Sequence, residues 1–177
     1  SGNYGDLNSD GWPDMYWGTG TPDFRALVPN RLFMGRGETF EDVTLISGTG
    51  HLQKGHGVAM ADFDRDGDLD MYVVLGGAFE SDVFPNALFE NVQSTGNRIQ
   101  LRLVGRRANR AAIGARIRLV VRTSDGRRRV HYATVSSGGS FGASPLMSWI
   151  GLGDAMHIDT LEIRWPTPDG RRTRHFN

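Results

Sequence analysis

Apolar and polar residues alternate along this chain in short runs, most of them cut off by glycine. Met15-Tyr16-Trp17 and the stretch 71–75 are apolar runs that stop at Gly18 and Gly76, and both predict strands. Residues 31–34 and 87–90 predict two more, and 39–44 alternates. Beyond residue 97 the runs lengthen. Ile99, Leu101 and Leu103 alternate with Arg98, Gln100 and Arg102. Ala115, Ile117, Leu119 and Val121 alternate with Arg116, Arg118 and Arg122, with Val120 the exception. A strand over 130–135 follows the Ser124-Asp125-Gly126 turn, and Leu161, Ile163 and Trp165 alternate with Glu162 and Arg164. No window of about 12 residues has a helical period. The pattern predicts an all-β chain.

The pattern also repeats. Asp6-Leu7-Asn8-Ser9-Asp10-Gly11-Trp12-Pro13-Asp14 returns 56 residues later as Asp62-Phe63-Asp64-Arg65-Asp66-Gly67-Asp68-Leu69-Asp70. Asn30-Arg31-Leu32-Phe33 returns at the same offset as Asn86-Ala87-Leu88-Phe89. Two landmarks with one offset define two units, about 1–56 and 57–96, within a segment 1–96. A second segment, 97–177, has no such repeat.

The acidic loops carry the clearest chemistry. Oxygen side chains stand at loop positions 1, 3, 5 and 9, position 7 can lend a carbonyl, and Gly at position 6 permits a sharp turn. The expected ligands are Asp6, Asn8, Asp10, Asp14 and the Trp12 carbonyl in the first loop. In the second they are Asp62, Asp64, Asp66, Asp70 and the Asp68 carbonyl. An all-oxygen donor set predicts Ca²⁺ at two sites, since zinc and copper prefer His or Cys. Two carboxylates about 4 Å apart repel by about 4 kcal/mol at an effective dielectric of about 20, so convergence calls for a cation. These are not EF-hands: position 12 is Trp17 or Val73, and strands flank the loops. The second loop, with Asp64 in place of Asn8, is expected to bind more tightly.

The unit Ala61 to Asp70, followed by Met71-Tyr72-Val73-Val74 and Asn86-Ala87-Leu88-Phe89, resembles the FG-GAP/VCBS repeat. The resemblance covers roughly residues 1–92 and implies β-propeller-type blades with Ca²⁺ in this loop. Asn109 to Arg116 (NRAAIGAR), Ser137 to Ser140 (SGGS), Gly151 to Asp154 (GLGD) and Leu161 to Pro166 (LEIRWP) stand in the order of the ASPIC/UnbV domain. That domain commonly follows VCBS repeats in bacterial secreted proteins and in the vertebrate cartilage acidic protein, and the resemblance brings no established catalytic mechanism; its motif residues look architectural. The expected architecture is two propeller-type blades followed by a β-sandwich-like C-terminal domain. A propeller needs about 4–8 blades. The chain is thus expected to be a piece of a longer propeller protein, or to complete its blades from other copies.

Composition narrows the rest. The chain has 177 residues and no Cys, which excludes disulfides, thiolate zinc and a cysteine nucleophile. No apolar run reaches the about 20 residues of a membrane span. Lys plus Arg equals Asp plus Glu at 20, but residues 1–96 carry a net −10 and residues 97–177 a net +10. The Arg clusters Arg106-Arg107-Arg110, Arg127 to Arg129 and Arg171-Arg172-Arg174 lack a nucleic-acid signature. The basic segment is expected to face acidic repeats, another subunit or an anionic extracellular polymer or glycan. His51 and His56 share a Gly-rich loop without a metal motif; 136–140 reads as a turn and Gly151-Leu152-Gly153 as a hairpin connection.

The expected function is that of a non-enzymatic, calcium-binding protein at the cell surface, outside the cell or in the periplasm, acting in adhesion or assembly. The alternative is a Ca²⁺-dependent carbohydrate-binding module. Tyr4, Trp12, Tyr16 and Trp17 could form a sugar platform, with at least half of them expected in the core. An enzyme on a propeller scaffold is the third class.

Overall fold

The computed structural model describes residues 1–21, 23, 25, 27–77, 79–92, 95–170 and 172–176. Among them the chain is all-β, with one 3₁₀ turn at Glu80–Asp82. Strands β1 (Gly2–Gly5), β2 (Asp14–Trp17), β3 (Arg31–Gly35) and β4 (Phe40–Asp42) form one antiparallel sheet in chain order. Strands β5 (Gly55–Ala61), β6 (Asp70–Leu75) and β7 (Ala87–Phe89) form a second meander. Then follow β8 (Asn97–Leu101), β9 (Arg116–Arg122), β10 (Arg128–Thr134), β11 (Ser148–Gly153), β12 (His157–Arg164) and β13 (Arg172–Phe176). These make a four-stranded sheet, β10-β9-β12-β13, and a pair, β11-β8.

Four strands lie where alternation gave no signal. Strand β1 is half glycine, β5 alternates Gly and Ala with larger residues, and β13 is polar on both faces. Strand β11 contains Gly151-Leu152-Gly153, which is therefore not a hairpin connection; it pairs with β8 through a bulge at Gly151/Gly153. Of the third Arg cluster, Arg171 lies outside the described residues.

The chain divides into two compact units. The first holds Ser1–Leu7, Trp12–Gln93 and Gly138–Ser144; the second holds Asn8–Gly11, Ser94–Ser137 and Pro145–Asn177. In the second unit Ile117, Leu119 and Val121 of β9 share a core with Ile163 of β12 and with Ile150 and Leu152 of β11. Ile99 and Leu101 of β8 pack against it, so the two sheets are layered as in a sandwich. In the first unit the 56-residue offset carries β2 onto β6 and β3 onto β7. The counterpart of β4 would be 96–98, where β8 begins; β8 instead pairs with β11.

The repeat extends to hydrogen bonds. Asn30 Oδ1 accepts the Thr19 amide at 3.0 Å, and Asn86 Oδ1 accepts the Leu75 amide at 3.1 Å. Each Asn thus fixes the chain as it leaves the strand after the acidic loop, the role its backbone-bonding amide suits.

The two blades of the first unit pack face to face. Tyr16 and Leu32 on one face of the first blade are 0% and 4% exposed, and Tyr16 meets Phe89 with ring centroids 6.4 Å apart. Asn3 donates to the Val58 carbonyl at 2.9 Å. The second blade contributes Val58, Met60, Met71 and Val73, all buried. The outward faces differ. Tyr4 and Trp17 occupy the first-blade positions of Met60 and Val73, yet are 69% and 49% exposed. Leu88 occupies the position of Leu32, yet is 55% exposed.

Candidate metal-binding loops

Each loop turns sharply because two of its residues take left-handed backbone. Ser9 and Arg65 at loop position 4 have φ of 58° and 68°; Gly11 and Gly67 at position 6 have φ of 91° and 97°. The glycines tolerate this freely, whereas Ser9 and Arg65 are held there by the loop. Gly11 is required twice over, since a Cβ there would collide with the His131 ring. His131 Nδ1 lies 3.3 Å from the Gly11 carbonyl oxygen, and burial pulls its pKa below the ordinary histidine value.

The aspartate at position 9 has a role that spacing alone did not reveal. Asp14, fully buried, accepts the Leu7 amide at 2.8 Å and the Gly35 amide at 2.9 Å. Asp70, 2% exposed, accepts the Phe63 amide at 2.8 Å and the Asn91 amide at 2.9 Å. Each carboxylate closes its loop and ties it to the third strand of its blade. Position 3 opens the turn: the Asp10 amide donates to Asn8 Oδ1 and the Asp66 amide to Asp64 Oδ1, each at 3.1 Å.

The second loop brings Asp62, Asp64 and Asp70 together, with a carboxylate oxygen from each within 4.8 Å of the others. Among the described residues this is the one such group, and its three hard oxygens can hold a metal ion. Asp66 accepts the Asp68 amide at 3.0 Å; the Asp68 side chain is buried, where the sequence assigned only its carbonyl a role. In the first loop Asn8 Nδ2 donates to Asp10 Oδ2 at 3.0 Å, so an amide meets a carboxylate where the second loop has two carboxylates. Asp6 is half-buried and Trp12 is 43% exposed.

Asn91 escaped the sequence reading because its counterpart at the repeat offset is Gly35, which has no amide side chain. Its Nδ2 donates to the Leu7 carbonyl at 2.6 Å and the Leu69 carbonyl at 3.2 Å, joining the bases of both loops. Of the four aromatics near the first loop, only Tyr16 is buried, which corrects the expectation that at least half serve the core. Tyr4 and Trp17 lie on the β1-β2 pair, whose β1 half is half glycine, and Trp12 lies in the loop before β2. His51 accepts the Gln53 amide at Nδ1 and stacks edge-on with Phe84, while His56 bonds the Gly76 carbonyl; both act as loop ties.

A search of curated proteins returned no similar sequence. Two family models match: the FG-GAP-like repeat over residues 6–73, and ASPIC and UnbV over residues 105–177. The first spans both acidic loops, and the second spans β9 to β13. The chain thus carries an FG-GAP-like repeat segment followed by an ASPIC and UnbV segment.

Proposed function

We infer that this chain is a Ca²⁺-stapled assembly or adhesion module that works outside the cell, with no reaction of its own. The observation that carries the reading is the unequal fate of equivalent faces. The positions of Tyr4 and Trp17 are buried in the second blade, and the position of Leu88 is buried in the first. Each outward face therefore matches a face that another blade covers within this chain. A further blade of the same type, from this protein or another copy, fits both ends, and such a contact is heterologous.

The three converging carboxylates support a cation in the second loop, and the shared backbone geometry supports one in the first. Ca²⁺ suits a hard-oxygen, irregular site better than Mg²⁺, which demands a near-ideal octahedron. Asp62, Asp64, Asp66, Asp70 and the Asp68 carbonyl would hold it in the second loop; Asp6, Asn8, Asp10, Asp14 and the Trp12 carbonyl would do so in the first. The ion's chemistry is charge neutralisation, which lets the carboxylates share one space. Sites of this kind fit the calcium levels of extracellular modules.

The test is the mass of the purified particle in solution, with calcium and with a chelator. An assembly that comes apart on chelation supports the reading. A monomer at all concentrations, with a melting temperature indifferent to chelation, overturns it. The exposed Trp17, edge-on to Phe33 at 5.9 Å, favours a second reading as a Ca²⁺-dependent glycan binder. Glycan binding without self-association would select that reading instead.

A further inference from the structure

In the four-stranded sheet of the second unit, Arg164 of β12 stands directly opposite Arg116 of β9 on one side and Arg172 of β13 on the other. Residues in register point to the same face, so three guanidinium groups stand in a row across three strands. Arg172 has a partner, with its Nη1 3.5 Å from Glu162 Oε1. No ion pair to Arg116 or Arg164 occurs among the described residues. Like charges directly opposite destabilise a sheet.

These two arginines line a cavity of about 290 Å³, near the lower end of the volumes of small-molecule sites. None of its lining residues is acidic. Gly114 and Gly170 form part of the wall, both in left-handed backbone, with φ of 89° and 57°. A Cβ at Gly170 would sit 3.6 Å from Arg164 Nε and Nη2, so the guanidinium rests on bare backbone. Trp165 adds to the wall, while its ring packs against the core of the second unit and its indole N–H donates to Thr173 Oγ1 at 3.0 Å.

We propose that this cavity binds an oxyanion, a carboxylate or sulfate, carried on a group about the size of one acidic sugar ring. Two guanidinium forks supply paired donors of the geometry that oxyanions accept. The bound charge relieves the repulsion between Arg116 and Arg164, and the cavity volume limits the group that bears the acid to about one ring. The site uses none of the loop aspartates and stands whether or not the loops bind calcium.

Calorimetric titration of the intact chain with glucuronate, inorganic sulfate and glucose, at constant ionic strength, tests it. Saturable one-to-one glucuronate binding is expected, with sulfate competing and glucose inert at the same concentration. Arg116→Gln and Arg164→Gln should each weaken glucuronate by about tenfold or more, while Arg127→Gln, on an exposed turn, should not. Unchanged melting temperatures establish that the variants fold. The proposal is overturned by no saturable binding, by glucose binding as well as glucuronate, by sulfate failing to compete, or by indifference to both Arg substitutions.

Discussion

At the scale of single residues, the converging aspartates Asp64 and Asp70 differ in what else they hold. Asp64 is exposed and accepts the Asp66 amide within its own turn. Asp70 is buried on the amide of Phe63 in its own loop and the amide of Asn91 beyond β7. Asp64→Asn should therefore weaken calcium binding while leaving the melting temperature in chelator nearly unchanged. Asp70→Ala should lower stability by about 2–4 kcal/mol even in chelator, because two amides lose their acceptor. Denaturant titration with and without calcium separates the two; equal behaviour would refute the difference. Tyr16 gives a pH prediction. Burial pushes its phenol up to about 12, against the opposing hydrogen bond from Asn30. A raised folded-state pKa stabilises fully below the unfolded value of about 10 and is lost as pH climbs through about 12. Between those limits the wild type should lose on the order of 2 kcal/mol more than Tyr16→Phe.

At the scale of elements, the loops are strained where the sheets are not. Arg65 is exposed and left-handed, so Arg65→Gly should stabilise by up to about 1 kcal/mol, while Gly67→Ala should cost about 1–2 kcal/mol. Melting curves of the two variants read this directly. The connection after β6 depends on a buried ion pair. Lys54, the one lysine of the chain, is 7% exposed at its side chain and pairs with Asp82 in the 3₁₀ turn, whose side chain is 12% exposed. Asp82→Ala would leave a buried ammonium without that carboxylate, at a cost of about 3–5 kcal/mol. The double variant Lys54→Met with Asp82→Leu should recover most of it. Nothing local in the sequence marks Lys54 as buried.

At the scale of the molecule, the proposed association rests on the outward faces of the two blades. Trp17→Lys and Leu88→Asp each place a charge on one of them. Either should abolish self-association in sedimentation, with a cooperative melting curve establishing that each variant folds. Persistence of the assembly in both variants would move the contact elsewhere. Calcium at about 100 times its dissociation constant should stabilise the chain by about 2.7 kcal/mol per site. The repeat offset made the blades legible, because alternation and acidic spacing are local properties that one strand or loop displays alone. The strands β1, β5 and β13 were not legible, because glycine-rich and two-sided polar strands form only when neighbours supply the ladder.

The sequence by itself determined the all-β class, the two acidic loops and the order of the two family segments. Each of these is written in the spacing of neighbouring residues. The tertiary structure decided which aspartates converge and which fasten the fold, and that Tyr16 is core while Trp17 is surface. It also decided that Arg116 and Arg164, 48 residues apart, face one cavity. These outcomes depend on which strands become neighbours, and pairing between distant strands is a property of the folded chain that no local run of residues contains.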